Sequence, residues 1–410
     1  MEIRFLGGAS QVGSLGMVVR EGSHKVLFDY GMTPTDPPQY PLALPPGLEW
    51  TFLTHAHLDH SGMTPLIVRQ TGHRLVTTSL TESIAELLLL DALKVARSEG
   101  YPEPFEAREV RHLLSRAVGL GPQDVFRNRD LEVQLTPAGH IPGATMFLYR
   151  GEQDVLFTGD VRTLPSRLVA EARPLPADVL VMESTYAGRE HPDRQETERR
   201  FLDQVEAVVS QGGKVLVPAF AVGRSQEVLL ALAKTDLEVW VDGMARAVNE
   251  AYESSPEYLR DPVAFRRTLH RVHVVEGAWQ RKKALQEADV VVTTGGMMDG
   301  GPVLWYLDRL YRDTRNAIYL TGYQVEGSNG RQLIEKGYIE VEGETLRPSC
   351  DVAIFDFSAH AGHSELIDLA RKVDPRVVVL MHGDQRELLA QDLEKEFQVL
   401  LPENGETLTL

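Results

Sequence analysis

The sequence predicts an α/β protein in which a strand-rich outer part, residues 1–188 and again 350–410, is interrupted by an inserted segment, 189–349. Three observations carry this. Short strands separated by glycine turns fill the first part. From about 189, buried-looking strands alternate with helices, the pattern of a mainly parallel sheet. After 350 the first texture returns, with Val352–Phe357, a helix near Ser364–Val373 and a strand at Val377–Met381.

In chain order, Met1–Gly7, Gly16–Arg20 and Lys25–Tyr30 read as strands. Asp36-Pro37-Pro38 and Leu44-Pro45-Pro46-Gly47 mark an irregular loop before a short strand at Trp50. A helix follows at Thr64–Thr71, then a strand at Arg74–Thr77 and a long helix from Ser79 through Val95, capped by Ser79 or Thr81. Another helix covers Phe105–Ala117. Strands return at Leu131–Pro137, Thr145–Arg150, Asp154–Phe157 and Val179–Met182. Inside the insertion, a charged helix at His191–Gln211 precedes strands at Lys214–Pro218, Glu238–Val241, Asp289–Thr293 and Ala317–Thr321. Helices follow those strands from Arg224, Met244, Val303 and Arg331.

At 410 residues, 43% apolar and 25% charged, the chain has room for two cores and the composition of a globular protein. Its apolar blocks, such as Leu87–Leu90, are too short to span a membrane, and Met1–Leu6 does not read as a signal sequence. The single cysteine, Cys350, excludes an intrachain disulfide and suits a reducing cytoplasm. A net charge of −17 argues against a broad basic surface that coats nucleic acid. The balance is uneven: residues 189–349 hold 21 Lys/Arg against 25 Asp/Glu, the remainder 21 against 34. The insertion is therefore the better candidate to face phosphates. Its Arg281-Lys282-Lys283 run is expected to be a solvated helix face.

The chemistry concentrates in Thr54-His55-Ala56-His57-Leu58-Asp59-His60. Imidazole and carboxylate are the usual ligands of divalent transition metals. In extended chain His55 and His57 share a side, whereas Asp59 and His60 reach a second position only after a turn. The pattern suggests two neighbouring metals. From this composition, H-x-H-x-D-H arises by chance in about one chain in a thousand, so a ligand cluster is favoured over a polar loop. Asp29, His140, Asp160, Glu183, His360 and His382 each lie in a short turn at or near the end of an apolar strand-like run. Singly, each reads equally well as a cap or turn residue; together with the cluster, they do not.

In order and wording these motifs resemble the metallo-β-lactamase superfamily, specifically its β-CASP nucleases, over nearly the whole chain. The resemblance implies an αββα sandwich with an inserted β-CASP domain on a mainly parallel sheet. It implies that His55, His57 and His140 bind one metal, that Asp59, His60 and His382 bind a second, and that Asp160 bridges them. Asp29 matches the family's aspartate behind a ligand histidine. Glu183, His360 and His382 match its three signature positions. Two divalent ions are implied, zinc first and manganese as the alternative, with Asp59, Glu183 and His360 in catalysis. The implied reaction is hydroxide attack on a phosphodiester of single-stranded RNA, leaving 5′-phosphate and 3′-hydroxyl ends. His360 would act as general acid, held by Glu183. Ser184, Thr185, Arg224, Arg331 and Ser358 are candidate phosphate contacts, the two arginines because each sits at a helix start.

The main competitor is a nuclease acting on single-stranded DNA. His382, where the family's DNA-repair branch typically carries valine, favours RNA. A small-molecule hydrolase of lactamase or thioesterase type would need neither the insertion nor the Glu183/His360/His382 set. A flavo-diiron enzyme usually has glutamate at the position of His57. A non-catalytic scaffold is disfavoured because every expected ligand is present. The chain stops soon after His382, without the further domain of ribonuclease J, so a cytoplasmic monomer or homodimer is expected.

Overall fold

A computed structural model describes residues 1–35, 37–70, 72–341 and 343–410. Asp36 of the expected loop and Thr71 of the expected helix lie outside the described residues. The chain forms two compact units: 1–165, 169–190 and 360–410 make the first, and 166–168 with 191–359 make the second.

The first unit is an αββα sandwich. One seven-stranded sheet runs in the order Thr407–Thr409, Glu2–Gly7, Gly16–Glu21, His24–Phe28, Trp50–Phe52, Arg74–Thr78, Val118–Leu120. The other runs Gln398–Leu400, Val377–Met381, Val179–Glu183, Val155–Phe157, Thr145–Arg150, Leu131–Pro137, Val125–Asn128. Alternate residues of both sheets, among them Phe28, Phe52, Phe147, Phe157, Val179 and Val377, share one buried core. Phe28 stacks on Phe52 at 5.4 Å and meets Phe157 at 5.2 Å. Each such pair adds about 1 kcal/mol beyond its buried area, which fixes the strand that runs into the histidine cluster. Helices cover the outer faces: Ser79–Glu99 packs on Arg74–Thr78, and Arg386–Leu393 packs on Val377–Met381.

Within each sheet four consecutive strands are parallel. His24–Phe28, Trp50–Phe52, Arg74–Thr78 and Val118–Leu120 form one parallel set; Val155–Phe157, Val179–Glu183, Val377–Met381 and Gln398–Leu400 form the other. Parallel strands end together, so the loops leaving them converge.

The second unit is built on a six-stranded, wholly parallel sheet, ordered His273–Val274, Val239–Asp242, Val290–Thr294, Val215–Ala219, Ala317–Leu320, Asp351–Ile354. Val215, Val217, Val290 and Val292 face one core, and Leu216, Val291 and Ile318 face the other. Burial on both faces explains why these strands read as continuous apolar runs.

Several boundaries differ from the sequence reading, each for a local reason. The strand at Asp351–Ile354 pairs with Ala317–Leu320, so the second unit continues to Ala359. The third strand stops at Phe28, because Asp29 takes a left-handed φ of 54°. Thr64–Arg69 is a 3-10 helix. The long helix is capped one residue earlier than expected: Thr78 Oγ1 accepts the Thr81 N–H at 3.2 Å. Ala107–Leu114 is shortened by the reciprocal Glu106/Glu109 cap. The helix at Pro262–Arg271 was not anticipated, because few of its residues are apolar and buried; the basic run lies on the helix Ala278–Glu287.

Candidate metal centre

The loop after Trp50–Phe52 carries His55 and His57, then turns into the short helix Leu58–Ser61, which carries Asp59 and His60. Residues 30–32 clasp that helix. Tyr30 N–H donates to the His60 carbonyl at 2.8 Å and Met32 N–H to the Leu58 carbonyl at 2.7 Å. Gly31 permits the approach: a Cβ there would fall 1.7 Å from the Asp59 carbonyl oxygen. His140 comes from the connection between Leu131–Pro137 and Thr145–Arg150. Asp160, Glu183 and His382 lie at or just beyond the ends of three neighbouring parallel strands of the second sheet.

These residues gather into two donor sets that share one carboxylate. In the first, His57 Nδ1 lies 3.1 Å from His55 Nε2 and 3.2 Å from His140 Nε2. Asp160 Oδ2 lies 3.5 Å from both of those Nε2 atoms. In the second, Asp160 Oδ1 lies 3.2 Å from His60 Nε2 and 3.5 Å from His382 Nδ1. Asp59 Oδ2 stands 3.5 Å from His382 Nε2. Donor atoms of His55, His57, His140 and Asp160 all fall within 4.8 Å of one another, as do those of His60, Asp160 and His382.

Asp29 stands behind the second set. Its Oδ2 accepts from His60 Nδ1 at 2.7 Å and from Thr54 Oγ1 at 2.8 Å, while Oδ1 accepts the Thr54 N–H at 2.8 Å. Glu183, fully buried, accepts the Val161 N–H at 2.6 Å and faces His360 Nδ1 at 3.0 Å. That contact turns His360 Nε2 toward Asp160 Oδ2, 3.9 Å away.

Burial and charge set the protonation. Burial holds the His55 and His57 imidazoles below their ordinary value, His55 far below, so both are neutral donors. Burial also works against a charged His60, but Asp160, Asp29 and Asp59 outweigh it and hold that imidazole well above its usual range. Burial would raise Asp160, yet His60, His360 and His382 hold it well below the ordinary carboxylate range. An imidazolium ringed by carboxylates occupies the place where a cation is electrostatically favoured. His60 Nε2 and Asp160 Oδ1 are buried and hydrogen-bonded to nothing among the described residues. The donor set therefore fits divalent ions, which would replace that proton and satisfy both atoms.

The expected phosphate contacts fare differently. Ser184 Oγ donates to the Met381 carbonyl at 2.7 Å, and Thr185 Oγ1 to the His382 carbonyl at 3.1 Å. Both hydroxyls thus tie neighbouring strand ends together. Arg224, Arg331 and Ser358 belong to the second unit. Arg224 opens the helix Arg224–Leu232, and its charge helps hold the Glu227 and Asp356 carboxyls below their usual range, after Arg194 and His191 respectively. Arg331 pairs with Glu335 at 2.6 Å, and the Ser358 N–H donates to Asp356 at 2.8 Å. Arg281 of the basic run pairs with buried Asp242 at 2.6 Å.

Sequence reasoning passed over Thr54 and Gly13. Gly13 N–H approaches His382 Nε2 at 3.1 Å across a separation that no local motif signals. Thr54, next to His55, belongs by strand alternation to the opposite side. The strand ends at Phe52, however, and alternation no longer applies.

Comparisons agree with this architecture. A crystal structure of a protein of unknown function from Enterococcus faecalis V583 superposes with a TM-score of 0.64 at 16% identity, covering 100% of this chain and 99% of that one, which shows the shared fold. The sequence matches the family models for the metallo-beta-lactamase superfamily over residues 11–218, the Beta-Casp domain over 225–333, and the Zn-dependent metallo-hydrolase RNA specificity domain over 346–402. It is 34% identical to the probable RNase MJ4 of Methanocaldococcus jannaschii, with 100% of both chains covered. It is 36% identical to RNase aCSPSF2 of Saccharolobus solfataricus, covering 100% of this chain and 85% of that protein. Transcription termination factor FttA of Pyrococcus abyssi is 31% identical, with 100% of this chain and 71% of that protein covered. The fold and site thus define a metallo-hydrolase of the metallo-β-lactamase class. Within that class, the chain belongs to the β-CASP RNA-processing nuclease family.

Proposed function

We propose that this protein is a metal-dependent ribonuclease that hydrolyses single-stranded RNA, leaving 5′-phosphate and 3′-hydroxyl ends. The observation that carries the reading is the Glu183–His360 pair set beside two donor clusters joined by Asp160. His55, His57, His140 and Asp160 would hold one divalent ion, and Asp59, His60, His382 and Asp160 the other; zinc suits this donor set, with manganese as the alternative. Such ions supply Lewis acidity and lower the pKa of water.

The chain's own residues do the rest. Asp29 orients His60. Glu183 accepts from His360 Nδ1, so His360 presents Nε2 toward the cluster and delivers a proton from there to the departing 3′ oxygen. Half-buried His57, Asp59 and His360 form the open side, while His55, His60, His140, Asp160 and His382 are enclosed. Arg224, Arg331, Ser184, Thr185 and Ser358 remain the proposed phosphate contacts, the two arginines because helix starts favour anions. The same reading includes a β-CASP domain inserted between two parts of the metallo-β-lactamase domain, and a cytoplasmic monomer or homodimer. No helix among the described residues is long and apolar enough to cross a membrane.

Digestion of 5′- and 3′-end-labelled RNA and single-stranded DNA, side by side with zinc or manganese, tests the reading. RNA products bearing 5′-phosphate are expected. Cleavage of DNA alone, or turnover only of a lactam or thioester, would replace RNA with that substrate class.

A further inference from the structure

We infer that Thr54 is a positioning residue for both halves of the metal centre, setting which nitrogen of His55 faces the donor cluster while bracing the carboxylate that does the same for His60. The inference rests on the proposed two-ion reading. Asp29 Oδ2 accepts from His60 Nδ1 at 2.7 Å and from the Thr54 hydroxyl at 2.8 Å. A carboxylate only accepts, so the single Thr54 hydroxyl proton is committed to Asp29. The same oxygen lies 3.1 Å from His55 Nδ1. With no proton left to give, Thr54 Oγ1 must accept there, and His55 must carry its proton on Nδ1. The lone pair of His55 is then on Nε2, the atom 3.1 Å from His57 Nδ1 and 3.5 Å from Asp160 Oδ2.

By the same logic Asp29 fixes the Nδ1 proton of His60 and turns its Nε2 toward Asp160 Oδ1, 3.2 Å away. One ligand of each donor set is therefore oriented through one hydroxyl–carboxylate pair. Thr54, Asp29, His55 and His60 are all enclosed, at 1% exposure or less, so water offers no substitute partner. A residue that packs space without a hydroxyl would leave His55 Nδ1 opposite an apolar group and free the ring to take its other tautomer.

Two measurements test this. Long-range ¹H–¹⁵N NMR of the metal-free wild-type chain should find His55 protonated on Nδ1. An Nε2-protonated His55 would overturn the inference without any variant being made. Zinc retention under a chelator series should then fall about 10- to 100-fold for Thr54→Val, the usual cost of losing a group behind a ligand histidine. The first position should be affected more than the second, and Thr54→Ser should recover most of the loss. Thr54→Val that holds both ions as the wild type does, with His55 unchanged, would refute the role. If the wild-type chain binds no divalent ions at all, the proposed function fails instead, and the tautomer result still decides the geometry.

Discussion

Both units end parallel strands in loops that gather at one edge of a sheet, and they fill those loops with opposite chemistry. In the first unit the strand ends deliver Asp29, His55, Asp160, Glu183 and His382, all imidazoles or carboxylates. Three strand ends of the second deliver uncharged residues. Val215–Ala219 runs through Phe220 to Gly223, whose φ of 81° lets the chain turn into the helix at Arg224. Val290–Thr294 runs into Gly295-Gly296, and Ala317–Leu320 into Thr321-Gly322. Asp242, at the end of Val239–Asp242, is already taken by Arg281, and Asp356, just past Asp351–Ile354, by His191. The same architecture thus makes one edge that attracts cations and another whose backbone N–H groups and helix starts suit anions.

The contrast can be broken most severely at Asp160, whose two oxygens serve both donor sets. Asp160→Ala should lose both ions and reduce RNA cleavage to background while melting cooperatively. Metal content by mass spectrometry, read beside calorimetry, checks both halves. His57→Ala should likewise abolish cleavage, at the expense of the first ion. Next in size is His360→Ala, expected to cut turnover about 100- to 10,000-fold with both ions retained. Loss of about half the metal would make His360 a ligand. At the other edge, Arg224→Ala should weaken RNA binding and flatten the dependence of log K on log salt by about 0.7, one phosphate's share on a single strand. An unchanged slope would remove Arg224 from the phosphate path, leaving it as the partner of Glu227 and Asp356. The smallest effect belongs to Arg331→Ala. Its exposed pairing with Glu335 contributes under about 0.5 kcal/mol to stability, so any large fall in RNA affinity, read by filter binding, would mark a phosphate contact.

Much of the first edge was legible because its donors are few, chemically unlike their neighbours and placed at the ends of apolar strands. His55 to His60 could be read from six consecutive positions, and Glu183 and His382 from the runs before them. What escaped depends on contacts distant in sequence or on backbone shape. The tie from the Ser184 hydroxyl to the Met381 carbonyl spans nearly two hundred residues and has no local signal. The strand at Asp351–Ile354 continues the texture of the final segment but hydrogen-bonds into the inserted sheet. Thr54 was hidden by an alternation that ends two residues before it.

The placement of His382 has a consequence for how the protein is made. The donor set closes only when Val377–Met381 has inserted beside Val179–Glu183, and the strand Glu2–Gly7 waits for Thr407–Thr409 before its outer edge is paired. The cluster at His55 to His60 is therefore gathered with His382 only after more than three hundred intervening residues have been made.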